Sequence, residues 1–183
     1  TINPDTSCIN PMRPISLNTQ RVDSPLTYST RTVYALIIIN KAGGLIYNKT
    51  FHEGGLNQLS TNDYLVLAGT FHGVHAITAR LSPFKNTPPV GANAIPSRPE
   101  PPSGLEVLET ENFRMQCFNT LTGTKFLLFS ETTQANVDVT IRRIYELYCD
   151  YVMKNPFYQL EMPVRCDAFD RKLLSYIREI NSR

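Results

Sequence analysis

The stretch VYALIIINKAGGLIY, Val33 to Tyr47, decides between a nucleotide-binding fold and an antiparallel sheet. Val33 to Ile39 is rich in β-branched residues and apolar on both alternations, the pattern of a central strand covered on both faces. The glycine pair behind it either cradles a phosphate or turns the chain. A phosphate loop needs G-x-x-x-x-G-K-[ST], and a dinucleotide loop needs G-x-G-x-x-G opening a helix. Here Gly44 leads into LIYNKTF, a second strand, so no helix N-terminus stands ready for an anion. Lys41 precedes the glycines instead of following them. The stretch reads as a hairpin.

Downstream, LSTNDYLVLAGTFHGVHAITARLSP reads as a helix that Ser60, Thr61, Asn62 or Asp63 caps and Pro83 stops. Tyr64, Leu67, Ala68, Phe71 and Val74 form one face at helical spacing, expected to pack on the sheet. Gly69, Gly73 and Ala76 form a second stripe at i, i+4 and i+7. A glycine inside a helix costs about 1 kcal/mol relative to alanine, so two of them imply close approach of another backbone. That backbone belongs either to the chain's own sheet or to a partner subunit.

Ser82 to Gly104 contains seven prolines and no periodicity, which gives a long surface linker at residues 82–103. LEVLETENFRMQCFNTLTGTKFLLFS then reads as three strands, turned at Glu111-Asn112 and at Thr122-Gly123. Val137 to Met153 is a helix with Val137, Ile141, Ile144, Tyr145, Tyr148 and Val152 on one face. Pro156 and Pro163 interrupt the next segment. A last helix, Cys166 to Asn181, carries the stripe Phe169, Leu173, Tyr176, Ile177 and Ile180. The order ββ-α-βββ-α-α predicts an α+β fold: a five-stranded antiparallel sheet with helices on its faces. Residues 32–183 form one domain. Residues 1–31 are polar, proline-bearing and aperiodic, and read as a disordered arm with a short docking piece around PMRPISL. The first residue is not Met, as in a processed or trimmed chain.

A net charge of +2 and a pI near 8.3 are too mild for a nucleic-acid face. No apolar run approaches the ~20 residues that span a bilayer, and no signal peptide is expected. Cys8, Cys117, Cys149 and Cys166 are far apart, without C-x-x-C, and read as reduced cytosolic thiols. Catalytic and metal signatures are missing. His72 and His75 share one side of a helix, but no H-E-x-x-H or cysteine pair completes a zinc site. His52 stands alone, and no G-x-S-x-G elbow occurs. Glu106, Glu109 and Glu111 read as a solvated edge that discourages strand pairing. Arg142 and Arg143 read as a wet helix face.

NPFYQLEMPVR, Asn155 to Arg165, is the oddest segment. It concentrates aromatics, Met and Arg, the types enriched in protein interfaces, where no continuous helix can form. Either Phe157 and Tyr158 plug the bottom of the core, or the loop is a contact surface. Tyr158 can bury its ring and offer its hydroxyl outward.

INKAGGLIY, NDYLVLAGTFHGVHAI, FNTLTGTKF, RRIYELYCDYVMKNPFY and LEMPVRCDAFD occur in one order. Together they resemble the synbindin-type small subunits of the TRAPP complex, the transport protein particle, over roughly Thr32 to Ile180. TLTGTKF followed by KNPFY and EMPVR is the specific part; the Gly-Gly hairpin alone is shared by several related subunits. The resemblance implies a longin-like, or profilin-like, fold with no catalytic site and no cofactor. It implies a core subunit that pairs with a second longin-like subunit and touches a Bet-type α/β subunit. Such a core is a guanine-nucleotide exchange factor for the Rab GTPase of ER-to-Golgi transport, cytoplasmic and peripheral on ER-to-Golgi and Golgi membranes. In that setting Gly69, Gly73 and Ala76 are candidates for the partner-subunit face. Phe157, Tyr158, Glu161, Met162 and Arg165 are candidates for a Rab-facing or intersubunit surface. Animal members carry a PDZ-like insertion after the first hairpin; here only Asn48 to Leu59 separates hairpin from helix, so inferences through that insertion do not transfer. The alternative is a longin-like trafficking adaptor that binds a peptide or SNARE helix with no exchange role. A longin-type SNARE itself would need a heptad tail and an anchor beyond Arg183.

Overall fold

Strand β1, Val33–Ile39, is buried along its whole length except at Tyr34. The structure, a computed structural model, describes residues 32–52, 59–81 and 104–182. The arm at 1–31 and the linker at 82–103 lie outside the described residues, as does Cys8. β1 pairs antiparallel with β2, Leu45–Thr50, on one side and with β5, Lys125–Ser130, on the other. β4, Arg114–Asn119, and the short β3, Val107–Glu109, complete a five-stranded sheet of order β2-β1-β5-β4-β3.

Both faces of this sheet are covered, which explains the continuous apolar run. Ala35, Ile37 and Ile39 point to α1, Thr61–Leu81, with Met115, Cys117, Leu127 and Phe129 beside them. Leu36 and Ile38 point the other way, with Phe126 and Leu128, toward α2, Val137–Tyr148, and α3, Asp167–Asn181. Val33 joins this second side because the β1–β5 register shifts between Val33 and Ala35. The result is the longin-like α+β arrangement in the order ββ-α-βββ-α-α.

The two glycine turns are built alike. In the first, Asn40 N–H donates to Gly44 O at 2.8 Å and Gly43 N–H to Asn40 O at 3.1 Å. In the second, Thr120 N–H donates to Thr124 O at 2.9 Å and Gly123 N–H to Thr120 O at 3.0 Å. Gly43 (φ +92°) and Gly123 (φ +87°) occupy the same left-handed position, which glycine adopts without steric cost. The Gly-Gly segment therefore turns a hairpin.

Ser60 caps α1: its N–H and hydroxyl both donate to Asp63 Oδ2, and Asp63 N–H returns a bond to the Ser60 hydroxyl. These bonds hold the Asp63 carboxyl below its ordinary range. The buried line of the helix runs through Tyr64, Ala68, Phe71 and His75. Val74, expected on this face, is instead 40% exposed. The line i, i+4, i+7, i+11 reaches His75, whose ring packs on Phe71 at 5.9 Å between centroids. Gly104 passes over it so closely that a Cβ there would lie 2.5 Å from His75 O.

On the opposite layer, α2 continues through a π-helical turn, Cys149–Met153, where the sequence reading expected one uninterrupted helix. Thr140 and Leu147 join its buried face, while Tyr145 is half-buried against Phe118 and Phe126. α3 buries Phe169, Leu173 and Ile177, leaving Tyr176 and Ile180 at the margin. Asn181 ends α3 by clasping the first strand. Its Oδ1 accepts from Val33 N–H at 2.9 Å, and its Nδ2 donates to Val33 O at 3.3 Å.

Candidate protein-interaction surfaces

The segment after the π-helical turn is a rigid loop pinned at both ends. Asn155 turns the chain: its Oδ1 accepts from Phe157 N–H at 3.1 Å, and its backbone carbonyl accepts from Tyr158 N–H at 3.1 Å. The Tyr158 ring lies against the core. Its hydroxyl donates to Met162 O at 2.9 Å at the exposed side of the loop. Further along, Val164 N–H donates to Ile46 O at 2.8 Å and the Val164 side chain is buried. The loop thereby covers part of the free edge of β2. Asn40 of the glycine turn reaches the same loop, with Nδ2 3.4 Å from Glu161 O. Thus the AGGLIY hairpin and the EMPVR segment, far apart in sequence, form one corner of the molecule.

What this frame presents outward is apolar. Phe157 is 91% exposed, so it does not plug the core. Leu160 and Met162 are exposed beside it, and Arg165 and Glu161 stand at the same corner. Glu161 adopts a left-handed backbone, φ +68°, unusual for a residue with a side chain. A shallow cavity of about 270 Å³ runs between Phe157, Tyr158, Met162, Pro163 and Arg165. Leu160 was not singled out in the sequence, although its place in the same run is the signal that points to it. An exposed aromatic with flanking Met and Arg on a hydrogen-bonded loop suits a protein contact, because little backbone entropy remains to be lost on binding.

The second surface is the outer face of α1. Gly69, Gly73 and Ala76 are all exposed, and a Cβ at either glycine would meet nothing within 4 Å among the described residues. The reading in which these glycines pack on the chain's own sheet is therefore incorrect. They lie open, between Val66 and Ile77, which are about 60% exposed. With Leu81 they extend an apolar stripe along the side of the helix away from the sheet. Val66 and Ile77 were missed because the helix is apolar nearly all round, so no single face stands out by periodicity. The two surfaces sit on different layers of the fold.

No enzyme-like constellation accompanies them among the described residues. No group of three or more His, Cys, Asp or Glu is gathered that would hold a metal ion. Cys117, Cys149 and Cys166 are free thiols, and burial pushes the Cys117 thiol up to about 12. Tyr47 donates to Asp170 Oδ1 at 2.6 Å inside the core, and burial with that bond raises its phenol. Among the described residues no helix is long and apolar enough to cross a membrane.

Comparison with known proteins joins these features to a family. The family model described as Sybindin-like matches residues 33–180. The chain is 44% identical over 142 residues to trafficking protein particle complex subunit 4 of Dictyostelium discoideum, covering 78% of this chain and 93% of that protein. To the Bos taurus subunit 4 it is 43% identical over 119 residues, covering 65% of this chain and 48% of that protein. The chain thus spans about half the length of its mammalian relatives. Subunit 1 of the same complex from Dictyostelium discoideum is 24% identical over 151 residues, 82% of this chain and 97% of that protein. Matched from β1 to the end of α3, with both signature segments meeting at one corner, this chain belongs to the Sybindin-like family.

Proposed function

We propose that this chain is a non-catalytic core subunit of the trafficking protein particle complex and helps form its exchange platform for the Rab GTPase of ER-to-Golgi transport. The carrying observation is the pinned loop: Phe157 stands 91% exposed on a frame fixed to β2 and the glycine turn. On this reading the open stripe Gly69, Gly73 and Ala76 receives a second longin-like subunit. The corner of Phe157, Tyr158, Glu161, Met162 and Arg165 meets the Rab or a neighbouring Bet-type α/β subunit. An exchange factor stabilises the nucleotide-free GTPase, and by linkage it weakens nucleotide affinity by the same factor. This chain's share is platform and positioning; the element that disturbs the phosphate and magnesium site comes from a neighbour. It works in the cytoplasm, peripheral on ER-to-Golgi and Golgi membranes through the complex.

The test is GDP release from that Rab with the other core subunits, with and without this chain. Acceleration that requires the chain supports the reading. A chain that neither assembles nor changes release would leave a trafficking adaptor instead. Within an intact complex, Arg165→Ala should slow exchange without loss of subunits; an unchanged rate removes Arg165 from the Rab-facing set.

A further inference from the structure

Between the C-terminal half of α1 and the two glycine turns lies a cavity of about 320 Å³. Its cations come from three separate elements. Lys41 belongs to the first turn, Arg80 to the end of α1, and Lys125 to the start of β5. The turns bring the two lysines together. The Lys41 stem packs on Gly123, where a Cβ would lie 3.1 Å from Lys41 Cγ, and Lys125 Nζ is 3.4 Å from Gly123 O. His72 and His75 complete the wall, and Ala76 and Ala79 give the cavity an apolar floor.

Among the described residues no carboxylate lines the cavity, although Glu106 acts electrostatically on His75 at its wall, and the ion pairs Arg143–Glu146 and Lys154–Asp150 lie elsewhere. Lys125 is only 7% exposed, and burial holds its ammonium below the ordinary value, a penalty that an anion in the cavity would offset. His72 Nδ1, on this wall, is a buried polar atom without a hydrogen-bond partner among the described residues. Such atoms are rare in native proteins and mark places where a further partner is accommodated. The carbonyl end of α1 opposes an anion by about half a unit charge. Three full positive charges outweigh it.

We propose that this cavity binds a phosphate monoester, whose several oxygens accept from Lys41, Arg80 and Lys125 while its organic part rests on Ala76 and Ala79. A phosphoinositide headgroup and a soluble phosphate ester share this chemistry. Charge-assisted bonds to phosphate from converging cations supply the affinity.

The test titrates the full chain with inorganic phosphate, followed by backbone amide NMR against chloride at equal ionic strength. Expected are saturable shifts confined to residues 41–44, 76–80 and 122–125, and about tenfold weaker binding in the Lys41→Gln/Arg80→Gln variant. Both residues are exposed, so the variant keeps its fold, which circular dichroism verifies. Shifts equal to those in chloride, shifts spread over the surface, or unchanged affinity in the variant would overturn the proposal. A second arm sediments the chain with phosphatidylcholine vesicles with and without phosphatidylinositol phosphate. Sedimentation that requires the phosphoinositide and is lost in the variant assigns the lipid source. Phosphate binding without sedimentation assigns the soluble ester. Sedimentation that survives in the variant would contradict the site.

Discussion

Phe157 and Val164 sit seven positions apart in one loop and do opposite things. Phe157 is 91% exposed, so Phe157→Ala should change folding stability by less than about 0.5 kcal/mol, as surface substitutions do. It should nevertheless sharply reduce recovery of the partner subunits in co-purification, because exposed aromatic anchors dominate interface energies. Val164 is 8% exposed and tucked over β2, so Val164→Ala removes buried methyl groups and should cost about 2 kcal/mol in urea denaturation. If instead Phe157→Ala unfolded the chain and Val164→Ala did not, the loop would be packed differently from this description. Sequence composition marked the loop as unusual but could not separate these two residues, because both are apolar and neither lies in a periodic element. Their separation depends on the bond from Val164 N–H to Ile46 O, a contact to a strand far upstream.

At the scale of elements, α1 makes a two-sided prediction. A Cβ at Gly73 meets nothing within 4 Å among the described residues, so Gly73→Leu should stabilise the isolated helix by up to about 1 kcal/mol through propensity. The same side chain should block close approach of a second helix and weaken assembly. A higher thermal midpoint with diminished co-purification is the expected pair of outcomes; undiminished co-purification would remove this stripe from the interface. The helix itself was legible from its cap and its terminating proline. Which side it buries was less so. Val74 and His75 are adjacent, and hydropathy favours burying Val74, yet the helical line through Tyr64, Ala68 and Phe71 ends at His75 beneath Gly104. The strands were legible for the opposite reason. β1 is apolar on both alternations, and each glycine turn carries its left-handed position in its sequence. The lateral order β2-β1-β5-β4-β3 was not, since β1 and β5 meet only across the whole of α1 and the linker. The π-helical turn at Cys149–Met153 also left no signal, because it keeps the apolar spacing of the preceding helix close to continuous.

The whole molecule should lose stability in alkali. Burial pushes Cys117 from 9.0 up to about 12, and Tyr47 and Tyr148 are raised from 10.0, mainly by burial. Well below pH 9 both folded and unfolded chains keep these protons. Above it the unfolded chain releases them first, binds fewer protons, and is favoured as pH rises toward 12. Lys125, lowered by burial from 10.5, acts in the other direction, but it is one group against three. Urea midpoints should therefore fall between about pH 8 and about pH 10.5, and a flat profile would contradict the burial of these groups. The clasp between Val33 and Asn181 has a consequence for biosynthesis. It joins residues 148 positions apart, at the first strand and the last helix. Strand β1 therefore leaves the ribosome before β5, α2 and α3 exist to cover it, and the clasp closes only once Asn181 has emerged. The domain's first strand is thus tied to its last helix late in synthesis, and Asn181→Ala, which removes both bonds, should loosen the start of β1 while its pairing with β2 and β5 persists.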